Sequence, residues 1–285
     1  METVSETKQF GGTQGVYKHA SEATCTEMTF AMFLPPQAAV GSESGRVPVL
    51  WYLSGLTCTH ANVMDKGQYQ RAAARHGIAV VCPDTSPRGA DVPDVDDWRE
   101  GQGAGFYVDA TEAPWSKNYR MATYVMDELT ALVADQFPLD MARQGVTGHS
   151  MGGHGALVHA LRAPERFRSV SAFAPIASAA QAEWSRGALA TYLGDDEAAW
   201  SAWDATALVR AGGRDGKRVP SVLIDQGAAD PFLRDGTMPH LFAEACEEAG
   251  IECVLRMQAG YDHGYGFVST FMDDHMAWHA ARLGA

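Results

Sequence analysis

Residues 145–157 read G-V-T-G-H-S-M-G-G-H-G-A-L, and this stretch gives the strongest indication of the fold. Residues 145–147 resemble the end of a strand, residues 155–162 have the composition of a helix, and residues 148–152 between them match G-x-S-x-G. In a nucleophile elbow the serine stands on a sharp strand-to-helix turn, at a helix N-terminus that favours negative charge. The two outer glycines would remove side chains where strand and helix meet. The alternative is a glycine-rich turn whose serine is incidental.

Outward from this turn, short apolar runs alternate with segments of helical periodicity. The strand-like runs are residues 28–34, 47–53, 78–82, 145–147, 170–173, 222–224 and 253–257. The helical stripes lie within residues 122–133, 241–249 and 267–278. Continuous apolar runs are typical of strands buried on both faces of a parallel sheet. The alternation therefore predicts an α/β protein with a mostly parallel, doubly wound sheet flanked by helices, whose ligands bind at the C-terminal ends of the strands.

Three segments depart from the alternation. Residues 37–46 lie between two apolar runs and are interpreted as a surface hairpin loop. Residues 83–118 form a long loop whose aromatic content argues against disorder, and loops of this length are usually functional. Residues 178–210 are predicted to form a small helical insertion over the sheet. Because composition shifts nowhere along the chain, we expect a single domain over residues 1–285.

Composition and charge exclude several classes of function. Hydrophobic residues make up 46% and charged residues 20% of the 285 residues, as in a packed globular protein. The net charge of −13 repels phosphate backbones and anionic membrane surfaces, so neither a nucleic-acid nor a membrane partner is expected. No apolar run approaches the roughly 18 residues of a spanning helix, and the polar N-terminus lacks the features of a signal peptide. Five cysteines without a C-x-x-C pair are typical of free thiols, which predicts a cytoplasmic protein.

A serine nucleophile needs a base and an orienting acid, which in this fold follow it in the order acid, then histidine. The strand candidate at residues 222–224 is followed by D-Q-G-A-A-D-P, which offers two carboxylates. Asp230 lies in the loop beyond the strand, where the acid belongs, and Asp225 at the strand end is its competitor. Either residue could instead be an ordinary loop aspartate that stabilises a turn.

Four histidines follow Asp230 in the chain and are candidates for the base. His263 stands in a loop after the final strand, the position that this fold gives its base. His240 falls at the start of a helix. His275 and His279 fall on the last helix, where a structural role is the simpler interpretation.

The oxyanion of an ester intermediate requires two backbone N–H groups. The first would come from Met151, directly after the nucleophile. The second would come from the loop that follows the strand at residues 47–53, where we select Leu56 and expect Gly55 to allow close approach of the chain. The alternative for this loop is a plain turn that ends a strand.

Beyond these residues, the sequence resembles the S-formylglutathione hydrolase family, also called the esterase D family, along nearly its whole length. The matching blocks are F-G-G (10–12), L-S-G-L-T-C-T (53–59), P-D-T-S-P-R-G (83–89), G-A-G-F-Y-V-D-A-T (103–111), N-Y-R-M (118–121), G-H-S-M-G-G-H-G-A-L (148–157), S-A-F-A-P-I (171–176), Y-L-G (192–194), I-D-Q-G (224–227) and G-Y-D-H (260–263). The resemblance implies an α/β-hydrolase fold and hydrolysis of S-formylglutathione to formate and glutathione, the last step of formaldehyde detoxification. It also implies a cytosolic, commonly dimeric enzyme that needs no cofactor and no metal.

The resemblance also assigns residues. The family's catalytic residues correspond to Ser150, Asp230 and His263, and its oxyanion donors to Leu56 and Met151. Its cysteine near the nucleophile corresponds to Cys58, interpreted either as a thiol beside the substrate or as an inert core residue. Its acyl-pocket tryptophan corresponds to Trp184, for which simple core packing is the alternative.

The sequence departs from the family pattern after G-Y-D-H, where Gly264 and Gly266 replace bulkier residues and make the segment beside His263 more flexible. Glutathione is anionic, so the chain should offer it local positive charge. Lys117, Arg88 and Arg120 are candidates for that contact, although a surface or structural role is the simpler interpretation of each.

Two rival functions remain open. A broad short-chain carboxylesterase would use the same catalytic residues on the same scaffold. An inactive hydrolase acting as a receptor or scaffold would usually lack one of the three catalytic residues, and all three are present here.

Overall fold

The computed structural model describes residues 1–38, 45–212 and 219–285, apart from the side chain of Trp184, and these residues form a nine-stranded sheet. Its strands are Glu2–Gln9 (β1), Gly12–Ser21 (β2), Thr26–Leu34 (β3), Val47–Leu53 (β4), Ala79–Pro83 (β5), Leu139–Gly148 (β6), Phe167–Phe173 (β7), Val222–Gly227 (β8) and Cys253–Gln258 (β9). Their spatial order is β1-β2-β3-β5-β4-β6-β7-β8-β9. Strands β4 to β9 pair in parallel, whereas β1, β2, β3 and β5 form antiparallel pairs at one side. The expected large, mostly parallel sheet is confirmed.

Helices cover both faces of this sheet. They are His60–Lys66 (α1), Gln70–His76 (α2), Met121–Thr123 (α3), Thr130–Gln136 (α4), Met151–Arg162 (α5), Glu183–Leu193 (α6), Glu197–Trp200 (α7), Ala205–Gly212 (α8), Pro239–Ala249 (α9) and Tyr265–Leu283 (α10), with a short π-helix at Tyr124–Leu129 that joins α3 to α4. The three predicted helical stripes are confirmed, and α9 ends at Gly250 in the left-handed conformation (φ 69°) that favours glycine. Helices α6 to α8 occupy the predicted insertion. Within the described residues, every helix is too short or too polar to cross a bilayer.

Strand β4 shows why the strands at the centre of the sheet have uninterrupted apolar sequences. All seven residues of V-P-V-L-W-Y-L are buried, because helices cover the strand on both faces. Its alternate side chains enter two separate cores: Trp51 and Leu53 pack on one face, Leu50 and Tyr52 on the other.

Two predictions about the N-terminal third are wrong or incomplete. The 37–46 segment does not close a hairpin, because β5 lies between the strands β3 and β4 that it connects. Residues 39–44 of it lie outside the described part of the chain. Strands β1 and β2 were not predicted. Seven of the eight residues of β1 are exposed, so it carries no hydrophobic alternation that sequence periodicity could detect, and the buried residues of β2 follow no regular alternation either.

The ends of four parallel strands define one functional edge. Ser150 follows β6, Asp230 follows β8, His263 follows β9 and Leu56 follows β4. Since parallel strands end at the same edge of a sheet, residues separated by more than two hundred positions converge there.

Candidate active site

The turn at Ser150 is strained and built on glycine. Ser150 has φ 58° and ψ −118°, a conformation that non-glycine residues rarely adopt and that costs about 1–3 kcal/mol. A Cβ on Gly148 would overlap the carbonyl oxygen of Gly152, and a Cβ on Gly152 would overlap that of Leu53. Helix α5 begins at Met151, four residues earlier than the sequence suggested, so Ser150 stands at the N-terminus of the helix. The serine lines a surface cavity.

His263 and Asp230 form a hydrogen-bonded pair next to this serine. Nδ1 of His263 lies 2.6 Å from Oδ2 of Asp230, which also accepts a bond of 2.8 Å from the side-chain amide of Gln226. The other carboxylate oxygen accepts the backbone N–H of Phe232 at 2.7 Å. Burial raises the pKa of Asp230, but these bonds outweigh it and hold the pKa below its ordinary value. Asp230 is therefore an anion that fixes the tautomer of His263, with Nε2 left for other partners.

His149, the residue before the serine, contacts His263 and its backbone. Its Nε2–H donates to the backbone carbonyl of His263 at 2.8 Å, and the two rings lie 4.7 Å apart between centroids. Burial, together with the nearby imidazole of His263, lowers the pKa of His149 to about 3. His149 consequently stays neutral and does not repel a positive charge that forms on His263. Sequence reasoning missed this residue, although its place inside G-x-S-x-G was a signal.

The backbone N–H groups of Leu56 and Met151 have no hydrogen-bond acceptor among the described residues. Their neighbours do: the N–H of Thr57 donates to Gly103 at 2.9 Å, and that of Gly152 to His149 at 2.8 Å. Met151 is the first residue of α5, where N–H groups have no partner within the helix, and Leu56 is half-buried in its loop. Both N–H groups suit an anionic oxygen that is present only during reaction.

The cavity at this edge has a volume of about 230 Å³. Its described lining comprises Gly55, Leu56, Thr57, Cys58, Trp98, His149, Ser150, Phe232 and His263. None of these is an Asp, Glu, Lys or Arg. Phe232 packs edge-on against the His263 ring with centroids 5.0 Å apart, and burial raises the pKa of the Cys58 thiol. The cavity thus offers an apolar wall, a thiol kept protonated, a serine and a histidine that is hydrogen-bonded to Asp230.

The structure does not place the three candidate cations against the cavity. Lys117, Arg88 and Arg120 are absent from its described lining. Arg88 instead forms an ion pair with Asp84, and Arg120 donates to the Thr123 hydroxyl at 3.4 Å.

The structure shows the side chain of one remaining substrate-binding candidate but not that of the other. Cys58 lies in the cavity wall. Trp184 belongs to the first turn of α6, but its side chain lies outside the described part of the structure. Gly264 is the N-cap of α10, and a Cβ on Gly266 would meet nothing within 4 Å, so packing does not require glycine at that position.

Comparison with known proteins agrees with this architecture. The Esterase family model matches residues 21–280. The chain is 58% identical over 283 residues to an S-formylglutathione hydrolase from Paracoccus denitrificans, covering 99% of this chain and 98% of that protein. It is 50% identical to an S-formylglutathione hydrolase from Mus musculus over 287 residues, covering 100% and 99%. A solved S-formylglutathione hydrolase from Agrobacterium tumefaciens is 56% identical, covers 100% of both chains and superposes with a TM-score of 0.95. The predicted α/β-hydrolase fold is confirmed.

Proposed function

The chain belongs to the S-formylglutathione hydrolase family, and we propose on that premise that it hydrolyses the thioester S-formylglutathione to formate and glutathione. One observation carries the proposal: identity of 58% to the Paracoccus denitrificans enzyme of that name extends over 99% of the chain. The arrangement at the C-terminal edge of the sheet supplies the chemistry. In this proposal Ser150 is the nucleophile, His263 the general base and Asp230 the residue that orients it.

In acylation, Oγ of Ser150 attacks the formyl carbon while His263 accepts the hydroxyl proton. Asp230, held anionic by its three hydrogen bonds, stabilises the imidazolium that forms. The negative oxygen of the tetrahedral intermediate accepts the unpaired N–H groups of Leu56 and Met151. The carbon–sulfur bond then breaks, and the proton on His263 passes to the departing sulfur.

The thiol leaving group makes acylation the easier half of the reaction. A thiol has an ordinary pKa of about 8.5, so a thiolate departs with little help from an acid. In deacylation, water attacks the formyl-serine, His263 takes a proton from that water, and Ser150 recovers its hydroxyl as formate leaves. Because formyl is the smallest acyl group, a restricted cavity beside Ser150 favours it over longer chains.

The lining of the cavity also supports a second function. The described lining of the cavity contains aromatic and aliphatic side chains, with no Lys or Arg to receive the charges of glutathione. Such a wall also suits the apolar alcohol of a simple ester, as in a broad short-chain carboxylesterase.

A comparison of kcat/KM for S-formylglutathione and for a small aryl acetate separates the two functions. We expect the thioester to be preferred. A preference for the acetate would assign the chain to the carboxylesterases.

The proposal extends to the form of the enzyme. We propose one hydrolase domain over residues 1–285 that carries its helical insertion at 178–210, working as a homodimer in the cytoplasm. The described cysteines are all free thiols, which supports a reducing compartment. Sedimentation velocity tests the dimer: a monomer at micromolar concentration would contradict it.

A further inference from the structure

The loop that carries Leu56 is a tight turn with an unfavourable residue at its centre. The N–H of Cys58 donates to the carbonyl of Gly55 at 3.3 Å, which closes a four-residue turn around Leu56 and Thr57. Thr57, the third residue of the turn, has φ 63°. A turn with positive φ at that position strongly prefers glycine or asparagine, and a β-branched residue there is strained. Something outside the turn must therefore hold it in this conformation.

The first restraint acts on the carbonyl oxygen of Cys58. It accepts the hydroxyl of Thr85 at 2.5 Å and a guanidinium N–H of Arg88 at 2.9 Å. Arg88 is itself fixed, because its Nε donates to both oxygens of Asp84 at 3.1 and 3.0 Å. Thr85 and Asp84 are buried, so this support is rigid.

The second restraint acts on the strained residue itself. The N–H of Thr57 donates to the carbonyl of Gly103, whose own N–H donates to the buried hydroxyl of Ser86 at 2.7 Å. Gly103 has φ 96°, and a Cβ on it would lie 3.2 Å from Cα of Thr57. Both restraints thus originate in the segment 84–88, which belongs to the P-D-T-S-P-R-G block of the sequence.

We propose that Thr85 and Arg88 are positioning residues for the oxyanion hole. By holding the Cys58 carbonyl they lock the 55–58 turn, and the locked turn keeps the N–H of Leu56 directed at the oxyanion. This inference rests on the proposed function, since it takes the Leu56 N–H as an oxyanion donor. Neither residue lines the described cavity, so they act on the transition state through the turn and leave substrate contacts unchanged.

Thr85→Val is the sharpest test, because valine has the same shape and lacks the hydroxyl. We expect kcat to fall about tenfold with KM unchanged, since a displaced N–H loses stabilisation that is made only in the transition state. Thr85→Ser keeps the hydroxyl and should stay within about twofold of the wild type.

Thr206→Val is the matched control. Thr206 is also buried, and its hydroxyl donates to the carbonyl of Ala177 at 2.8 Å in the insertion. This variant should lower the Tm as much as Thr85→Val while its kcat stays at the wild-type level. Equal kcat values for the two variants would overturn the proposal and leave Thr85 with a purely structural role.

A transition-state analogue gives an independent readout. A trifluoromethyl ketone forms an anionic hemiketal with the serine, so its Ki should rise in Thr85→Val by the factor by which kcat falls. An unchanged Ki would also overturn the proposal. Arg88→Lys, which retains the charge but loses the forked geometry, should give a fall of about tenfold or more in kcat.

Each variant is assayed with an aryl acetate as well as with S-formylglutathione, because any ester needs the oxyanion hole. If S-formylglutathione is not a substrate, the proposed function fails, while the acetate still reports on the turn. If both substrates react normally in Thr85→Val, the positioning role fails and the proposed function stands.

Discussion

The molecule contains two sets of serine, histidine and aspartate in which the histidine and the aspartate are hydrogen-bonded. The first is Ser150, His263 and Asp230. In the second, set in the core, Nε2 of His275 lies 2.9 Å from Oδ2 of Asp225, and Nδ1 of His275 lies 2.8 Å from the hydroxyl of Ser171. Both sets follow the chain in the order serine, aspartate, histidine. Neither residue type, order nor hydrogen bonding therefore identifies a catalytic centre.

The two sets differ in the backbone conformation of the serine and in its access to solvent. Ser171 lies within strand β7 and is fully buried. Besides His275, its hydroxyl has two further partners at 2.8 Å, the hydroxyl of Thr147 and Nε2 of His279. Ser150 stands on a strained turn, at a helix N-terminus, in the wall of a cavity. The proposed reactivity of Ser150 rests on these last three properties, together with the unpaired N–H groups nearby.

The carboxylates differ as well. Asp225 forms an ion pair with Arg256 and accepts a bond of 2.7 Å from Gln258. Its charge is already balanced, and burial keeps the pKa of His275 below its ordinary value. Asp230 has no arginine or lysine partner among the described residues, so its charge remains for the imidazolium of His263. We infer that the buried set stabilises the core, and the proposed function assigns the chemistry to the edge set.

The largest expected effect compares the two serines. Ser150→Ala should lower kcat about a thousandfold or more, because it removes the proposed nucleophile. Ser171→Ala should leave kcat within about twofold and reduce the free energy of unfolding by about 1 kcal/mol. Steady-state assays and urea unfolding of both variants check this pair, and a large loss of kcat in folded Ser171→Ala would break the distinction.

The two aspartates should separate in the same way. Asp230→Asn should lower kcat about a thousandfold, since the histidine loses the tautomer and the charge that support it. Asp225→Asn leaves His275 without its anion and Arg256 with only the exposed Asp274, and should reduce the free energy of unfolding by about 3 kcal/mol. Thermal unfolding and kcat, measured at a temperature where both proteins are folded, give the result. Stable Asp225→Asn with impaired kcat would reverse the assignment of roles.

Acid should destabilise the protein through the buried histidines at positions 149, 154 and 159. Burial lowers the pKa of His149 and His159 to about 3 and that of His154 to about 4. Below pH 6.5 these histidines bind protons in the unfolded chain but stay neutral in the folded chain, so the free energy of unfolding falls as the pH decreases toward 4. At pH 5.5 each of the three costs about 1.4 kcal/mol relative to neutral pH. Urea unfolding at pH 7.5 and 5.5 measures the difference.

His149→Gln is the control for that measurement, because glutamine retains a donor for the His263 carbonyl and does not titrate. The loss between pH 7.5 and 5.5 should shrink by about 1.4 kcal/mol in this variant. An unchanged loss would mean that His149 is protonated in the folded protein.

The smallest effect concerns α10, which begins beside His263 and carries His275 of the buried set. Gly266→Ala should stabilise the protein by about 0.5 kcal/mol, since its Cβ meets open space and alanine restricts the unfolded chain. We expect kcat to stay within about twofold. A clear fall in kcat would show that catalysis depends on flexibility after His263.

Local sequence patterns predicted much of the fold and singled out the candidate residues that meet at the sheet edge. The central strands, helices α9 and α10 and the alternation of the parallel sheet all leave a local hydrophobic signal. The exposed strand β1 leaves none, and the 37–46 loop gave no sign that β5 enters between its neighbouring strands.

At the site, position relative to the strands favoured Asp230 over Asp225 and His263 over His275, as the geometry does. The sequence could not show that His149 donates to a carbonyl 114 residues away, or that Arg88 binds Cys58 30 residues back. It also could not show that Ser171 completes a second hydrogen-bonded set. Contacts of this kind depend on tertiary packing, which local periodicity does not encode.

Chemical labelling tests most directly the claim that only one of the two serines is catalytic. A fluorophosphonate reacts with an activated serine, and peptide mass spectrometry locates the label. The account predicts one label per chain, on Ser150, with hydrolysis of S-formylglutathione lost in proportion to labelling. A label on Ser171 or Cys58, or complete labelling of Ser150 with hydrolysis retained, would contradict it.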